Sequence, residues 1–89
     1  MAVHAVVITV TVNDREQAVA ALRDQVVPQV SSMPGFVAGY WTDLGGNRGT
    51  SMVVWESEEA ARQAADQAEA PGSFVTFDSV EVAEVVASA

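Results

Sequence analysis

Residues 33–61 read MPGFVAGYWTDLGGNRGTSMVVWESEEAA and decide the fold of this 89-residue chain. Pro34 and Gly35 end a helix, and the Gly-rich segment 45–49 separates two runs rich in β-branched and aromatic residues. Glycine and asparagine tolerate the positive φ angles of tight hairpin turns. Ser57, followed by two glutamates, is typical of a helix N-cap. The stretch therefore predicts a helix end, a β-hairpin and the start of a second helix.

The same reasoning extends to both ends of the chain. Asn13, with a glutamate three residues later, predicts the N-cap of a first helix, and Pro28 predicts a kink or break at Val27. Pro71 should end the second helix. Segment 73–77 reads as an extended lead-in to the last strand. Apolar and alternating runs predict four strands, at 3–12, 35–44, 50–56 and 80–87.

The element order predicts the fold class. Strand, helix, strand, strand, helix, strand is the ferredoxin-like βαββαβ pattern of an α+β fold, with a four-stranded antiparallel sheet and both helices on one face. One domain accounts for residues 1–89. The first and last strands are apolar on both faces, so the open sheet face needs a cover. We expect a homodimer in which a second copy supplies it, over about 2,000 Å² or more.

Charge and composition narrow the classes of partner. The net charge is −8, and the four cations are scattered arginines, which argues against nucleic acid and acidic membrane surfaces. The sequence shows no signal peptide and no apolar run long enough for a membrane span, so we expect a cytoplasmic protein. With one histidine, no cysteine and no phosphate-binding glycine motif before a helix, we expect neither a metal nor a cofactor.

Three motifs resemble one family. Met33-Pro34-Gly35-Phe36-Val37-Ala38-Gly39 resembles the helix-to-strand signature of the dimeric α/β barrel superfamily. Trp55-Glu56-Ser57-Glu58-Glu59-Ala60 is similar to the strand-to-helix signature of its antibiotic biosynthesis monooxygenase branch, and the run VEVAEVV at 80–86 is similar to that branch's last strand. The resemblance implies a dimer whose two sheets face each other as a barrel.

The same resemblance implies kinds of chemistry. Several members oxidise polycyclic phenols to quinones with O₂ and without metal or flavin, and others degrade heme. In the quinone-forming members, the tryptophan corresponding to Trp55 lines the substrate cavity. An asparagine four residues before it and a tyrosine six residues after it correspond here to Ser51 and Ala61. No histidine on or after the second helix is present to serve as a heme ligand.

No set of residues forms a complete catalytic site by spacing alone, so the catalytic residues are unknown at this stage. The candidates for substrate contact are Trp55, Ser51, Tyr40, Trp41 and His4. Each is also explained as a packing or surface residue. Tyr40 and Trp41 are adjacent on a strand and must point to opposite faces of the sheet.

Two functions remain open from the sequence. The first is a cofactor-independent monooxygenase acting on a small aromatic or polyketide-like substrate. The second is a non-catalytic dimer of the same fold that binds a small ligand or has a structural role. A pocket that admits an aromatic ring and ends in a buried polar group would favour the first, and a filled interior would favour the second.

Overall fold

A computed structural model describes residues 2–89 and confirms the predicted fold class. Four strands form one antiparallel sheet in the order β2-β3-β1-β4, and two helical elements join them. No helix in the described part of the chain is long and apolar enough to cross a membrane. The strands are β1 (His4–Val12), β2 (Phe36–Gly45), β3 (Arg48–Trp55) and β4 (Val75–Glu84), and the second helix is Glu58–Gln67.

The strand register defines which sheet face packs under the helices. On the central strands, Val6 pairs with Val53 and Ile8 with Ser51, so these side chains share one face. Val6, Val53, Trp55 and Ala61 form the buried core on this face, between the sheet and the second helix. The Trp55 ring also meets Phe36 edge to face, with ring centroids 6.0 Å apart.

The first helix begins one residue later than the sequence predicted. Asp14, and not Asn13, is the N-cap, because its carboxylate accepts the Gln17 backbone N–H at 3.1 Å. The Asn13 side chain instead donates to the Ser73 carbonyl oxygen and to Thr76 Oγ1. Its amide therefore ties the helix entrance to the start of β4 and is not free to cap the helix.

Pro28 does not break the first helix, contrary to the prediction. The element runs as α-helix over Arg15–Ala21, as π-helix over Leu22–Val26 and as α-helix again over Val27–Ser31. Pro28 falls in the first turn of the last segment, where a missing N–H is tolerated. The preceding π-turn re-registers the backbone hydrogen bonds, so the helix continues past the proline.

The β2-β3 turn is tighter than predicted. Gly46 and Asn47 have φ angles of 60° and 64°, and Gly45 pairs with Arg48. Positive φ at both central residues is the requirement of the two-residue hairpin turn that matches strand twist. The third strand therefore starts at Arg48, two residues before its predicted start.

The last strand is displaced from its prediction, since it covers Val75–Glu84 and not 80–87. Phe77 pairs with Val10 and Ser79 with Thr9, which leaves Asp78 as the extra residue of a β-bulge. The Asp78 carboxylate accepts the Thr11 hydroxyl at 2.7 Å. Because the bulge shifts the alternation by one residue, the apolar pattern before it was not recognised as strand.

Ser57 caps the second helix as predicted, accepting the Ala60 backbone N–H at 3.1 Å. The helix ends at Gln67, earlier than Pro71. We expect Ser57→Ala to lower the free energy of unfolding by about 1 kcal/mol, because it leaves a helix N–H without its acceptor. Urea unfolding of this variant, with exposed Ser88→Ala as the control, measures the effect. Equal stability of the two variants would contradict the capping role.

Candidate ligand-binding site

A cavity of about 820 Å³ lies between the helix-facing side of the sheet and both helical elements. This volume falls within the range of roughly 300–1,000 Å³ that is usual for small-molecule sites. The lining is mainly apolar and comes from all four strands, the first helix, the second helix and the segment that follows it. The predicted test, a pocket wide enough for an aromatic ring, is therefore met.

Small side chains explain why the space is open. Gly49 and Ser51, two residues apart on β3, both face the helices. Because both residues are small, the sheet surface leaves room for the cavity there. Above it, Ala18, Ala64 and Ala68 bring short side chains to the roof. These five positions carry at most a methyl or hydroxymethyl group, so they leave space between the sheet and the helices.

Aromatic and branched side chains form the walls. Trp41 comes from β2, Trp55 from β3 and Phe77 from β4. Leu22 and Val26, both in the π-helical segment, line the opposite side. Phe77 was not among the candidates for substrate contact, because it lies before the predicted start of the last strand.

Two buried polar groups belong to the cavity wall. Ser51 is 8% exposed and Trp55 is 2% exposed. The indole Nε1–H of Trp55 is buried and finds no hydrogen-bond acceptor within residues 2–89. A buried donor without a partner costs about 1–3 kcal/mol.

The predicted site residues divide into two groups. Trp55, Ser51 and Trp41 meet at the cavity. Tyr40 does not, because strand alternation puts its side chain on the opposite sheet face, where it is 65% exposed. His4 pairs with Trp55 at the far end of β1 and is outside the cavity lining. The structure thus gives Tyr40 and His4 no contact with a molecule in this cavity.

Ala61 also lies outside the cavity lining. It is fully buried in the core cluster beside Trp55. A larger residue at this position would have to displace its core neighbours. Among residues 2–89, no group of three histidine or carboxylate side chains is placed to hold a metal ion.

A charged pair lies at the hairpin end of the cavity. The Arg15 guanidinium Nε donates to Asp43 at 2.9 Å, and the Asp43 carboxylate also accepts the Gly45 backbone N–H at 2.8 Å. Both charged residues border the cavity and both side chains are more than half exposed. Both hydrogen bonds lower the pKa of the Asp43 carboxyl, and the bond from the Gly45 N–H has the larger effect.

This lowered pKa predicts a pH dependence of stability. The ionised Asp43 stabilises the fold above the unfolded-chain pKa of about 3.9, and this contribution is lost as the pH falls through the lower folded value. Asp43→Asn should therefore be less stable than the wild type at pH 7 but equal to it in strong acid. Urea unfolding at both pH values measures this, with Asp66→Asn, on the second helix, as the control. A difference that persists unchanged in strong acid would contradict the ionic origin.

Comparisons with known proteins support the fold. No protein-family model matches the chain, and no curated protein matches it significantly. Among solved structures, the chain is similar to SnoaB, a cofactor-independent oxygenase from Streptomyces nogalater. Their identity is 19% and the TM-score is 0.68, over 100% of this chain and 96% of the other.

A second similar structure is the heme-degrading protein Rv3592 from Mycobacterium tuberculosis. It shows 24% identity and a TM-score of 0.52, over 96% of this chain and 98% of the other. At these identities the likeness shows the fold and not the reaction. The fold that the sequence predicted is confirmed: the chain shares the ferredoxin-like fold of both structures.

Proposed function

We propose that this protein is a cofactor-independent, monooxygenase-like enzyme that binds a small aromatic or polyketide-like phenol in the helix–sheet cavity. The observation that carries the proposal is a mainly apolar cavity lined by Trp55, a residue whose buried indole N–H has no acceptor among residues 2–89. An apolar site with a few placed polar groups selects a flat molecule by shape and fixes its orientation by hydrogen bonds.

The polar groups of the site would hydrogen-bond to two separate positions of such a ligand. Trp55 and Ser51 lie four residues apart on the same face of β3, so their Cα atoms are roughly 13 Å apart. The indole N–H donates to one ligand oxygen, and the Ser51 hydroxyl donates to or accepts from a second. Trp41, which pairs with Ser51 on the neighbouring strand, provides an aromatic wall. This arrangement favours a fused-ring substrate that carries oxygen atoms at separated positions.

The reaction requires little from the protein beyond binding. A phenol with a free ring C–H reacts with O₂ to give a quinone and water, so one oxygen atom enters the ring and the other leaves as water. The substrate supplies the electrons, and no external reductant is needed. Donors that stabilise the phenolate lower the pKa of the phenol, so that it releases its proton to solvent and more of it is in the electron-rich form that reacts with O₂. The apolar walls exclude bulk water, which strengthens those hydrogen bonds.

Heme is a less suitable ligand for this cavity. Heme iron in proteins is commonly held by histidine, cysteine, tyrosine or methionine. His4 and Tyr40 are outside the cavity lining and the chain has no cysteine, so among residues 2–89 the thioether of Met33 is the one such donor in the lining. A thioether is a weak single donor, so the lining fits a phenol better than a heme iron.

We also propose that the protein acts as a cytoplasmic homodimer. On the sheet face opposite the helices, Val7, Met52 and Tyr40 lie side by side across β1, β3 and β2. Met52 is 46% exposed and Tyr40 is 65% exposed. A second copy of this face would bury these apolar groups, as the sequence pattern predicted.

A thermal-shift series tests the proposed function. A ligand at ten times its Kd raises the free energy of unfolding by about 1.4 kcal/mol, which is several degrees in Tm for a domain of this size. We expect hydroxynaphthalenes and hydroxyanthracenes to raise Tm, and heme to raise it less. Oxygen consumption with the phenol that binds best then separates an enzyme from a binding protein. Heme as the strongest stabiliser, or no phenol effect at all, would overturn the proposal.

A further inference from the structure

Gly39 lies directly beneath an aromatic wall of the cavity. Gly39 and Trp41 are two residues apart on β2 and share the helix-facing side of the sheet, opposite Val53 and Ser51. A Cβ atom added at Gly39 would lie 2.9 Å from Cη2 and 3.0 Å from Cζ3 of Trp41. These are the outermost carbons of the indole ring. The ring therefore rests on the backbone of Gly39 in the space that any other side chain would fill.

The backbone conformation does not explain this glycine. The glycines with positive φ are Gly35, Gly45 and Gly46, so Gly39 has a backbone that alanine can adopt. Glycine in a strand interior also weakens the strand. The close approach of Trp41 is thus the physical reason that the structure offers for a glycine at this position.

We propose that Gly39 is a positioning residue that fixes where the Trp41 indole lies and so sets the size of ligand that the cavity admits. This inference rests on the proposed function. It deepens that function by naming a residue that limits how large a flat phenol the cavity admits.

The groups around the Trp41 indole limit the directions in which the ring can move. The strand itself lies below the ring, and Phe36 Cε2 is 3.5 Å from the position of an added Gly39 Cβ. Of these residues, Trp41 lines the cavity, and Gly39 and Phe36 do not. A methyl group at Gly39 must displace the indole, because the contact falls below the distance that carbon atoms tolerate, and we expect the ring to move toward the cavity and narrow it.

Three variants test this inference: Gly39→Ala, Trp41→Phe and the double variant. A phenylalanine at position 41 lacks the two carbons that the added methyl group would meet, so the cost of Gly39→Ala should disappear in that background. The probes are 1-naphthol and 2-hydroxyanthracene, with binding measured by calorimetry. We expect Gly39→Ala to weaken the three-ring ligand by about tenfold or more and the two-ring ligand much less.

A readout without ligand separates this inference from the proposed function. The chain has two tryptophans, so 5-fluorotryptophan labelling gives two ¹⁹F resonances, which Trp41→Phe assigns. Gly39→Ala should shift the Trp41 resonance strongly and the Trp55 resonance little. If no phenol binds the wild type, the proposed function fails, while the ¹⁹F shift still decides the role of Gly39.

Each result of these experiments either supports or overturns the role of Gly39. An unchanged Trp41 resonance in Gly39→Ala would overturn the inference. Equal loss of affinity for both phenols, or the same loss in the Trp41→Phe background, would also overturn it. If Gly39→Ala alone does not fold, recovery of the fold in the double variant supports the contact, and failure of the double variant contradicts it.

Discussion

A glutamate in place of Met52 is expected to abolish the dimer. Met52 lies on β3, an inner strand, between Val7 of β1 and Tyr40 of β2 on the open sheet face. If two such faces meet, the carboxylate is buried near the middle of the interface without a cation. An unpaired buried charge costs several kcal/mol, enough to prevent assembly at micromolar concentration.

Sedimentation velocity measures this effect, and Val27→Glu is the matched control. Val27 is an apolar residue that is 37% exposed, but it lies in the first helix and away from both the open sheet face and the cavity. The control should sediment like the wild type. A wild type that sediments as a stable folded monomer, or a Met52→Glu variant that still dimerises, would contradict the proposed assembly.

The second large effect is expected for Trp55→Phe. This variant removes the indole N–H but keeps an aromatic ring, so the free protein should lose only about 1 kcal/mol of stability. The bound phenol loses a buried donor, and its affinity should fall by about tenfold or more. Calorimetry with 2-hydroxyanthracene measures the affinity, and urea unfolding measures the stability.

A ligand without oxygen is the control for this prediction. Anthracene has the same ring system but offers no acceptor to the Trp55 N–H, so Trp55→Phe should change its binding far less. If the variant weakens the phenol and the hydrocarbon equally, Trp55 contributes only shape. If stability alone changes, Trp55 is a packing residue and the hydrogen-bond account is wrong.

Most of the fold was predictable because its signals are local. The Gly46-Asn47 turn, the Ser57 cap and the alternation of Ser51 and Met52 along β3 each follow from chemistry within a few residues. The errors arose where a distant contact decided the outcome. Asp14 took the N-cap because Asn13 is bonded across to the segment that leads into β4.

Pro28 and the last strand show the same limit. The π-helical segment before Pro28 allows the helix to continue past the proline. The residues of that segment show no sequence pattern that predicts a π-helix. The bulge at Asp78 hides the start of β4, because it shifts the inward and outward alternation by one residue. Phe77, which the structure places in the cavity wall, lies before the predicted start of that strand and so was not a substrate-contact candidate.

The candidate site was predictable in part. Strand alternation alone puts Ser51 and Trp55 on one face and separates Tyr40 from Trp41. It could not decide which face the helices cover, so Tyr40 stayed a candidate. The cavity itself depends on how closely the helices approach the sheet over small residues such as Ala18 and Gly49, which is a property of the packed structure.

The Trp55 indole N–H is the atom on which the proposed function depends, and it can be observed directly. In ¹⁵N-labelled protein the two tryptophans give two indole N–H signals, which Trp55→Phe assigns. On titration with 2-hydroxyanthracene, we expect the Trp55 signal to move downfield and to saturate at one ligand per chain. A Trp55 signal that stays in place at saturating ligand, or a titration that never saturates, would contradict the account.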